Sequence, residues 1–138
     1  MIVADTGAVV ALVDADDKHH ETLRSLYEQD PDAWVLPWAI LPEVDYLLAE
    51  HVGGSAQEAF LADLAEGLYV VEWGEEADLA RAYELHSRHG ALALGLVDCV
   101  VMAVAERLAA QAIATLDVRD FGAVTIAGTP RLLPRDLP

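Results

Sequence analysis

The chain has 138 residues, and 54% of them are hydrophobic, which is enough apolar side chain for a core without disulfide bonds. We therefore predict a single domain over residues 1–138. The formal net charge is −16, from 24 acidic and 8 basic residues. This charge excludes a protein that binds nucleic acid through its own positive surface alone. Activity on nucleic acid would need bound metal ions or a basic partner.

Cysteine content and apolar run lengths indicate the cellular compartment. The single cysteine, Cys99, cannot form an internal disulfide, and the N-terminal sequence lacks the basic start and cleavage pattern of an export signal. The longest uncharged run is interrupted by Asp98 and is shorter than the roughly 20 apolar residues that a membrane-spanning helix needs. We therefore predict a cytoplasmic protein without a membrane segment.

The first half of the chain alternates short apolar runs with helical patterns. They predict a strand at 2–4 and then a helix at 7–13 capped by Thr6. The next predicted helix carries Leu23, Leu26 and Tyr27 and ends at Pro31. A strand at 33–36 and a helix at 38–52 follow, and Gly53 and Gly54 end that helix. The alternation of strand and helix predicts parallel strand pairing.

The second half continues the same alternation. In chain order, it predicts a helix carrying Phe60, Leu61, Leu64 and Leu68, a strand at 68–73, a helix at 75–89, a nearly all-apolar helix at 96–109, a strand at 112–116 and a last strand at 123–128 before the proline-rich tail. An apolar helix of this kind is buried on most sides. Together the elements predict an α/β fold with a parallel sheet covered on both faces.

Four acids stand almost alone in apolar stretches: Asp5, Glu43, Asp98 and Asp117. An ionised carboxylate in apolar surroundings is unfavourable unless it is paired, protonated or bound to a metal. Two of these acids follow predicted strands, and two lie near the starts of helices. In a parallel α/β sheet such positions converge at the carboxyl edge of the strands. We therefore predict that all four share a divalent cation.

Carboxylate oxygens are hard ligands, which suit Mg²⁺ or Mn²⁺ better than zinc. A site of this kind leaves coordination positions for water and phosphate, so it favours phosphodiester hydrolysis by metal-activated water. No side-chain nucleophile is then required. The prediction from the residues is a metal-dependent phosphodiesterase.

The segments that carry these acids resemble a known family. IVADTGAVVAL, PEVDYLL, LVDCVVMAVAERL and AIATLDVRDFGAV, in this order, are similar to the motifs of PIN domains, specifically the VapC-like ribonuclease toxins of type II toxin–antitoxin systems. The resemblance spans essentially the whole chain. It implies a three-layer α/β/α fold with a central, mainly parallel sheet of four to five strands, and an Mg²⁺- or Mn²⁺-dependent endoribonuclease.

The resemblance also implies roles for individual residues and partners. Asp5, Glu43, Asp98 and Asp117 match the catalytic, metal-binding acids; Thr115 matches a hydroxyl position, Asp120 a variable extra acid, and Thr6 is a further accessory candidate. Proteins of this kind usually form homodimers and are held inactive by a small antitoxin that enters the acidic groove. Basic residues for binding RNA are scarce here.

Several alternatives remain open at this level. Asp45 competes with Glu43, because it lies two residues further on the same predicted helix and only one of them can face the site. Asp117 and Asp120 are also typical of a turn, and both threonines of helix caps. The histidines lack the spacing of a zinc site, and Cys99 is expected to be an inert thiol in the core. The three tryptophans are expected to pack in the core or to form a dimer face.

Three other functions compete with a nuclease toxin. A PIN-like scaffold would bind protein without catalysis, and a stand-alone nuclease would process RNA without an antitoxin. An aspartyl phosphotransfer enzyme would use Asp5 as its nucleophile, but the only lysine, Lys18, lies in a polar connection rather than beside an acid.

Overall fold

A computed structural model describes all of residues 1–138. The strands are β1 (Ile2–Ala4), β2 (Trp34–Pro37), β3 (Val70–Glu72), β4 (Ala112–Ala114) and β5 (Arg131–Leu133). The α-helices are α1 (Thr6–Val13), α2 (His20–Gln29), α3 (Leu41–Leu47), α4 (Gly54–Ala65), α5 (Glu76–Arg88), α6 (Leu96–Arg107) and α7 (Val118–Ala123). Short 3₁₀ turns cover Pro31–Ala33, Trp38–Ile40 and Gly90–Leu92, and a π-helical turn covers Leu48–Val52.

All strand pairs in the five-stranded sheet are parallel, in the order β3-β2-β1-β4-β5. The predicted α/β fold with a parallel sheet of four to five strands is therefore confirmed. From β1 the strand order runs one way through β2 and β3 and the other way through β4 and β5. The ends of β1 and β4 consequently flank the point where the order reverses, which is where open α/β sheets place their functional groups.

The core lies between the sheet and the helices that cover it. Strand β4 is buried along its whole length, and in β1 Val3 and Ala4 are fully buried. Helix α6 buries every residue from Cys99 to Ala105, as its apolar sequence predicts. Strands buried on both faces show continuous apolar runs rather than alternation. Burial of α6 against β1 and β2 fixes the position of its first turn relative to the end of β1.

The last strand was predicted at the wrong place. Residues 123–128 form the end of α7 and the loop after it, and β5 lies in the proline-flanked tail. Val124 and Ile126 are buried from a loop, so their alternation with polar neighbours resembles a strand. In β5, Leu132 and Leu133 are buried beside β4. Helix α7 itself was not predicted.

Helix boundaries also differ from the patterns. The segment 38–52 is helical throughout, but it changes from 3₁₀ to α to π geometry. Gly53, with a φ of 142°, ends it, and Gly54 begins α4 rather than ending the preceding helix. Leu61 and Leu68 are exposed instead of facing the core. The remaining differences are shifts or shortening of the predicted segments by one to three residues at their ends.

No helix has the length and apolar character needed to cross a membrane.

Candidate active site

Asp5 lies directly after β1 and is the N-cap of α1, with 5% of its surface exposed. Its Oδ1 accepts a hydrogen bond from the Thr6 backbone N–H at 2.8 Å, and its Oδ2 accepts one from Thr115 Oγ1 at 2.9 Å. Burial raises the pKa of Asp5, the two hydrogen bonds oppose that shift, and the charges of Glu43 and Asp117 add to it. The carboxylate is therefore fixed in one orientation, and its pKa lies above the ordinary value.

Thr115 connects two of the acids. It follows β4 and is fully buried. Its Oγ1 donates to Asp5 and accepts a hydrogen bond from the Asp117 backbone N–H at 3.0 Å. Asp117 is in turn the N-cap of α7, and its Oδ1 accepts from the Asp120 backbone N–H at 3.0 Å. One hydroxyl thus holds together the ends of β1 and β4, with the acids that follow them.

Asp98, in the first turn of α6, lies in a cluster of acids. Its carboxylate and those of Asp117 and Asp120 each have an oxygen within 4.8 Å of the others. Burial raises the pKa of Asp98 to about 7, with further contributions from the charges of Asp5, Asp117, Asp120 and Glu43. The charges of four neighbouring acids therefore act on Asp98, in addition to its burial.

The structure separates Glu43 from its neighbour Asp45. Glu43 lies in the first turn of α3, and its charge contributes to the raised pKa values of both Asp5 and Asp98. Asp45 instead accepts a hydrogen bond from Gln57 Nε2 at 2.9 Å, on the side of α4. Glu43 is exposed, and its charge acts on Asp5 and Asp98, whereas Asp45 is engaged with Gln57.

Thr6 does not cap α1. It is the first residue of that helix, and Asp5 is the cap, so the predicted capping role was wrong. The Thr6 side chain is buried, and its Oγ1 has no hydrogen-bond partner. A buried hydroxyl without a partner among the protein's own groups is unfavourable for the folded state.

Asp120 is the residue that sequence reasoning undervalued. It follows Asp117 by three residues on α7, and residues at this spacing lie on one helix face. The three-residue spacing of Asp117 and Asp120 could have indicated this, but a helix was not predicted at that position. With Asp98 it completes a set of three hard oxygen donors that one divalent cation could bind together.

Other residues considered from the sequence lie outside this cluster. Cys99 is buried and Trp34 packs in the core, whereas Trp73 is 75% exposed and is not accounted for by packing. His20, His86 and His89 each place Nδ1 within hydrogen-bond distance of a backbone carbonyl oxygen. These contacts give the histidines local structural partners.

The parallel sheet, the hydroxyl between two strand ends and the acids around it define a class of protein. The chain belongs to the PIN domain family, whose family model matches residues 2–126. The resemblance inferred from its sequence motifs is confirmed.

Individual relatives are similar along nearly the whole chain. Ribonuclease VapC26 of Mycobacterium tuberculosis is 29% identical over 130 residues, which is 94% of this chain and 96% of that protein. The crystal structure of M. tuberculosis VapC20, described as a sarcin-ricin loop cleaving toxin, superposes with a TM-score of 0.79 at 25% identity, over 94% of this chain and 100% of that one. The structure of VapBC2 from Rickettsia felis, bound to a promoter DNA fragment, matches with a TM-score of 0.69 at 14% identity, over 96% and 97% of the two chains, and supports the fold alone.

Proposed function

We propose that this PIN domain is an Mg²⁺- or Mn²⁺-dependent endoribonuclease and the toxin of a toxin–antitoxin pair. The observation that supports the proposal is the cluster of Asp98, Asp117 and Asp120, whose carboxylate oxygens lie within 4.8 Å of one another. The charges of Asp5 and Glu43 add to the raised pKa of Asp98. Its similarity to Ribonuclease VapC26 and to the VapC20 toxin supports RNA as the substrate and toxicity as the role.

The chemistry of the acids fits a divalent cation. Several carboxylates close together repel one another, which adds to the effect of burial in raising the pKa of Asp98 to about 7. The base beside them, Arg119, lies 4.0 Å from Asp120, at the outer limit of an ion pair. A bound Mg²⁺ or Mn²⁺ would supply a hydroxide from coordinated water for attack on phosphorus and would stabilise the leaving oxygen. We propose that Asp5, Glu43, Asp98 and Asp117 hold the metal and that Asp120 joins them.

The chain's own residues prepare this pocket. The Thr6 N–H and Thr115 Oγ1 orient Asp5, and the Asp120 N–H orients Asp117. Each of these carboxylates is thereby fixed before any ligand arrives, which limits the reorganisation that metal and RNA binding must pay for. We propose Thr115 and Thr6 as accessory residues that position a carboxylate or a water molecule.

Substitution of the acids tests the assignment. Asp5→Asn and Asp98→Asn should each abolish Mn²⁺-dependent cleavage of RNA, with circular dichroism unchanged. Asp45→Asn is the matched control, because Asp45 is an acid of the same helix as Glu43 and faces Gln57 instead. Undiminished cleavage by the Asp5→Asn, Asp98→Asn double variant would refute the assignment.

Metal titration separates the nuclease from a non-catalytic scaffold. We expect calorimetry to detect Mn²⁺ binding to the wild-type protein and its loss in Asp98→Asn. A protein that binds no Mn²⁺ would fit the scaffold. A small upstream reading frame encoding a DNA-binding protein would support the toxin role over a stand-alone processing nuclease.

For partners, we propose a small antitoxin whose basic residue enters the acidic groove, and a homodimer in the cytoplasm. The exposed apolar face formed by Trp73, Leu79, Tyr83 and Leu96 supports the dimer. Leu79 and Tyr83 share one side of α5 at a spacing of four residues. Sedimentation should detect a dimer that Tyr83→Glu weakens. Tyr46→Glu, a change at another exposed tyrosine on α3, should leave the dimer intact.

A further inference from the structure

Half of the eight lysines and arginines of this acidic protein are engaged in close ion pairs. Four arginines pair with carboxylates at 3.0 Å or less: Arg24, Arg81, Arg107 and Arg135. Three other bases, Lys18, Arg88 and Arg131, have no carboxylate within ion-pair distance. A base that binds RNA must be free to leave its intramolecular partner, so the four paired arginines are poor candidates.

Arg119 is the remaining base, and it lies between two of the clustered acids. It occupies the first turn of α7, between Asp117 and Asp120. Its side chain is 83% exposed, and its Nε lies 4.0 Å from Asp120 Oδ1, at the outer limit of an ion pair. The Arg119 side chain makes no hydrogen bond within the protein. The guanidinium is therefore at the rim of the pocket, with its donors available.

The other free bases lie elsewhere in the fold. Arg131 begins β5 and pairs in register with Ala112 at the start of β4, so it lies at the amino edge of the sheet. Lys18 is in the connection between α1 and α2, and Arg88 ends α5. Only Arg119 shares a helical turn with two acids of the cluster.

We infer that Arg119 is a substrate-positioning residue, which binds a phosphate of the RNA backbone next to the scissile bond. This inference rests on the proposed nuclease function. A planar guanidinium can donate two parallel hydrogen bonds to phosphate, which a lysine cannot. In a chain with a net charge of −16, one cation at the rim also offsets the repulsion that RNA meets on approach. Arg119 orients the substrate, whereas the acids bind the metal.

The test compares Arg119→Gln with Arg131→Gln, which removes the same charge at the opposite edge of the sheet. The substrate is a short, fluorophore-labelled single-stranded RNA of mixed sequence, cleaved by the full chain in Mn²⁺. We expect Arg119→Gln to raise KM about tenfold, as for the loss of a charged hydrogen bond, with a smaller effect on kcat. Arg119→Lys should recover part of this loss, and Arg131→Gln should cleave like the wild type.

Salt dependence distinguishes a phosphate contact from a general effect of charge. The slope of log kcat/KM against log salt concentration should become less negative by about 0.7 in Arg119→Gln, the value for one phosphate contact on a single strand. Mn²⁺ affinity should be equal to or higher than that of the wild type. An unchanged KM and slope, together with tighter Mn²⁺ binding, would mean that Arg119 only offsets repulsion among the acids, and would overturn the inference. The proposed nuclease function would survive that result, because it depends on the Asp5 and Asp98 variants.

Discussion

Asp5 and Asp78 are both buried aspartates, 5% and 4% exposed, but their surroundings act on their charges in opposite directions. Burial would raise the pKa of both. At Asp78, hydrogen bonds from Arg107 and from the Glu75 backbone outweigh burial, so its pKa is lowered. At Asp5, burial and neighbouring acids outweigh the hydrogen bonds, so its pKa is raised. The environment of Asp78 stabilises its negative charge, whereas that of Asp5 provides no cation to do so.

The difference distinguishes a structural cluster from a functional one. Arg107 binds Asp78 at 2.8 Å and Glu72 at 2.7 Å, and thereby joins the end of α6 to β3 and α5. Four acids act on the charge of Asp98, and the arginine next to them, Arg119, is 4.0 Å from Asp120, at the outer limit of an ion pair. Proteins tolerate unfavourable charge clusters where a ligand completes them. The acids around Asp98 are therefore the ones for which we propose metal binding.

The largest change in stability should follow removal of Arg107. Arg107→Ala leaves Asp78 buried without its cation, and breaking a buried ion pair in this way lowers the free energy of unfolding by about 3 kcal/mol. Urea denaturation measures the loss. Arg88→Ala, at an exposed arginine of α5 without an ion pair, should have the small effect of a surface substitution. Equal losses in the two variants would contradict a structural role for the Arg107 network.

Substitution of Asp98 should instead raise the folding stability of the protein without metal. Its pKa of about 7 in the folded protein is above the 3.8 of a free aspartate, so the folded state binds the proton more tightly than the unfolded state does. Stability without metal should therefore fall as pH rises from about 4 to about 7 and stay reduced above that range. Asn cannot ionise. Without metal, the free energy of unfolding of Asp98→Asn should exceed that of the wild type by about 2 kcal/mol near pH 8 and match it near pH 4.

Thermal unfolding without metal, across this pH range, measures the effect at Asp98. Mn²⁺ should then raise the melting temperature of the wild type but not of Asp98→Asn, because a ligand stabilises only the protein that binds it. Equal melting temperatures for both proteins from about pH 5 to pH 8 would show that the pKa of Asp98 is not raised, and would argue against a buried site among other acids.

A smaller loss is expected at Thr115. Thr115→Val removes a buried hydroxyl that donates to Asp5 and accepts from the Asp117 N–H, and we expect a loss of about 1–2 kcal/mol in stability. Cleavage should fall roughly tenfold or more, because residues that orient metal ligands have effects of that size. Thr115→Ser keeps the hydroxyl and should retain most activity. Equal cleavage by the Val and Ser variants would show that the hydroxyl does not act on the site.

Sequence patterns predicted the first strands of the sheet more accurately than the end of the chain. Strands β1, β2 and β4 are recognisable because buried parallel strands are continuous apolar runs. Helix α6 is recognisable because a long apolar run covers nearly all sides of one helix. Strand β5 was missed because two prolines flank its three residues and because a buried loop before it alternates like a strand. Three-residue strands depend on their neighbours in the sheet, and single-sequence patterns do not contain those contacts.

The same limit applied within the site. The choice between Glu43 and Asp45 depends on Gln57, a residue of another helix. Membership of Asp120 in the cluster depends on α7, whose N-cap is Asp117. Asp5 and Asp117, in contrast, follow buried strands directly, so their convergence could be predicted from the order of elements.

The smallest effect on stability is expected at Thr6, and it has the same sign as at Asp98. Thr6→Val replaces a buried hydroxyl that has no partner with a methyl group of the same shape, so the protein without metal should gain up to about 1 kcal/mol. If the hydroxyl is an accessory of the site, cleavage should nevertheless fall several-fold, and Thr6→Ser should restore it. A stabilised Thr6→Val that cleaves RNA like the wild type would restrict the functional cluster to the acids and Thr115. A gain in stability with a loss of activity would instead place Thr6 with Asp98, among the residues whose unfavourable native environment is compensated only when the site is occupied.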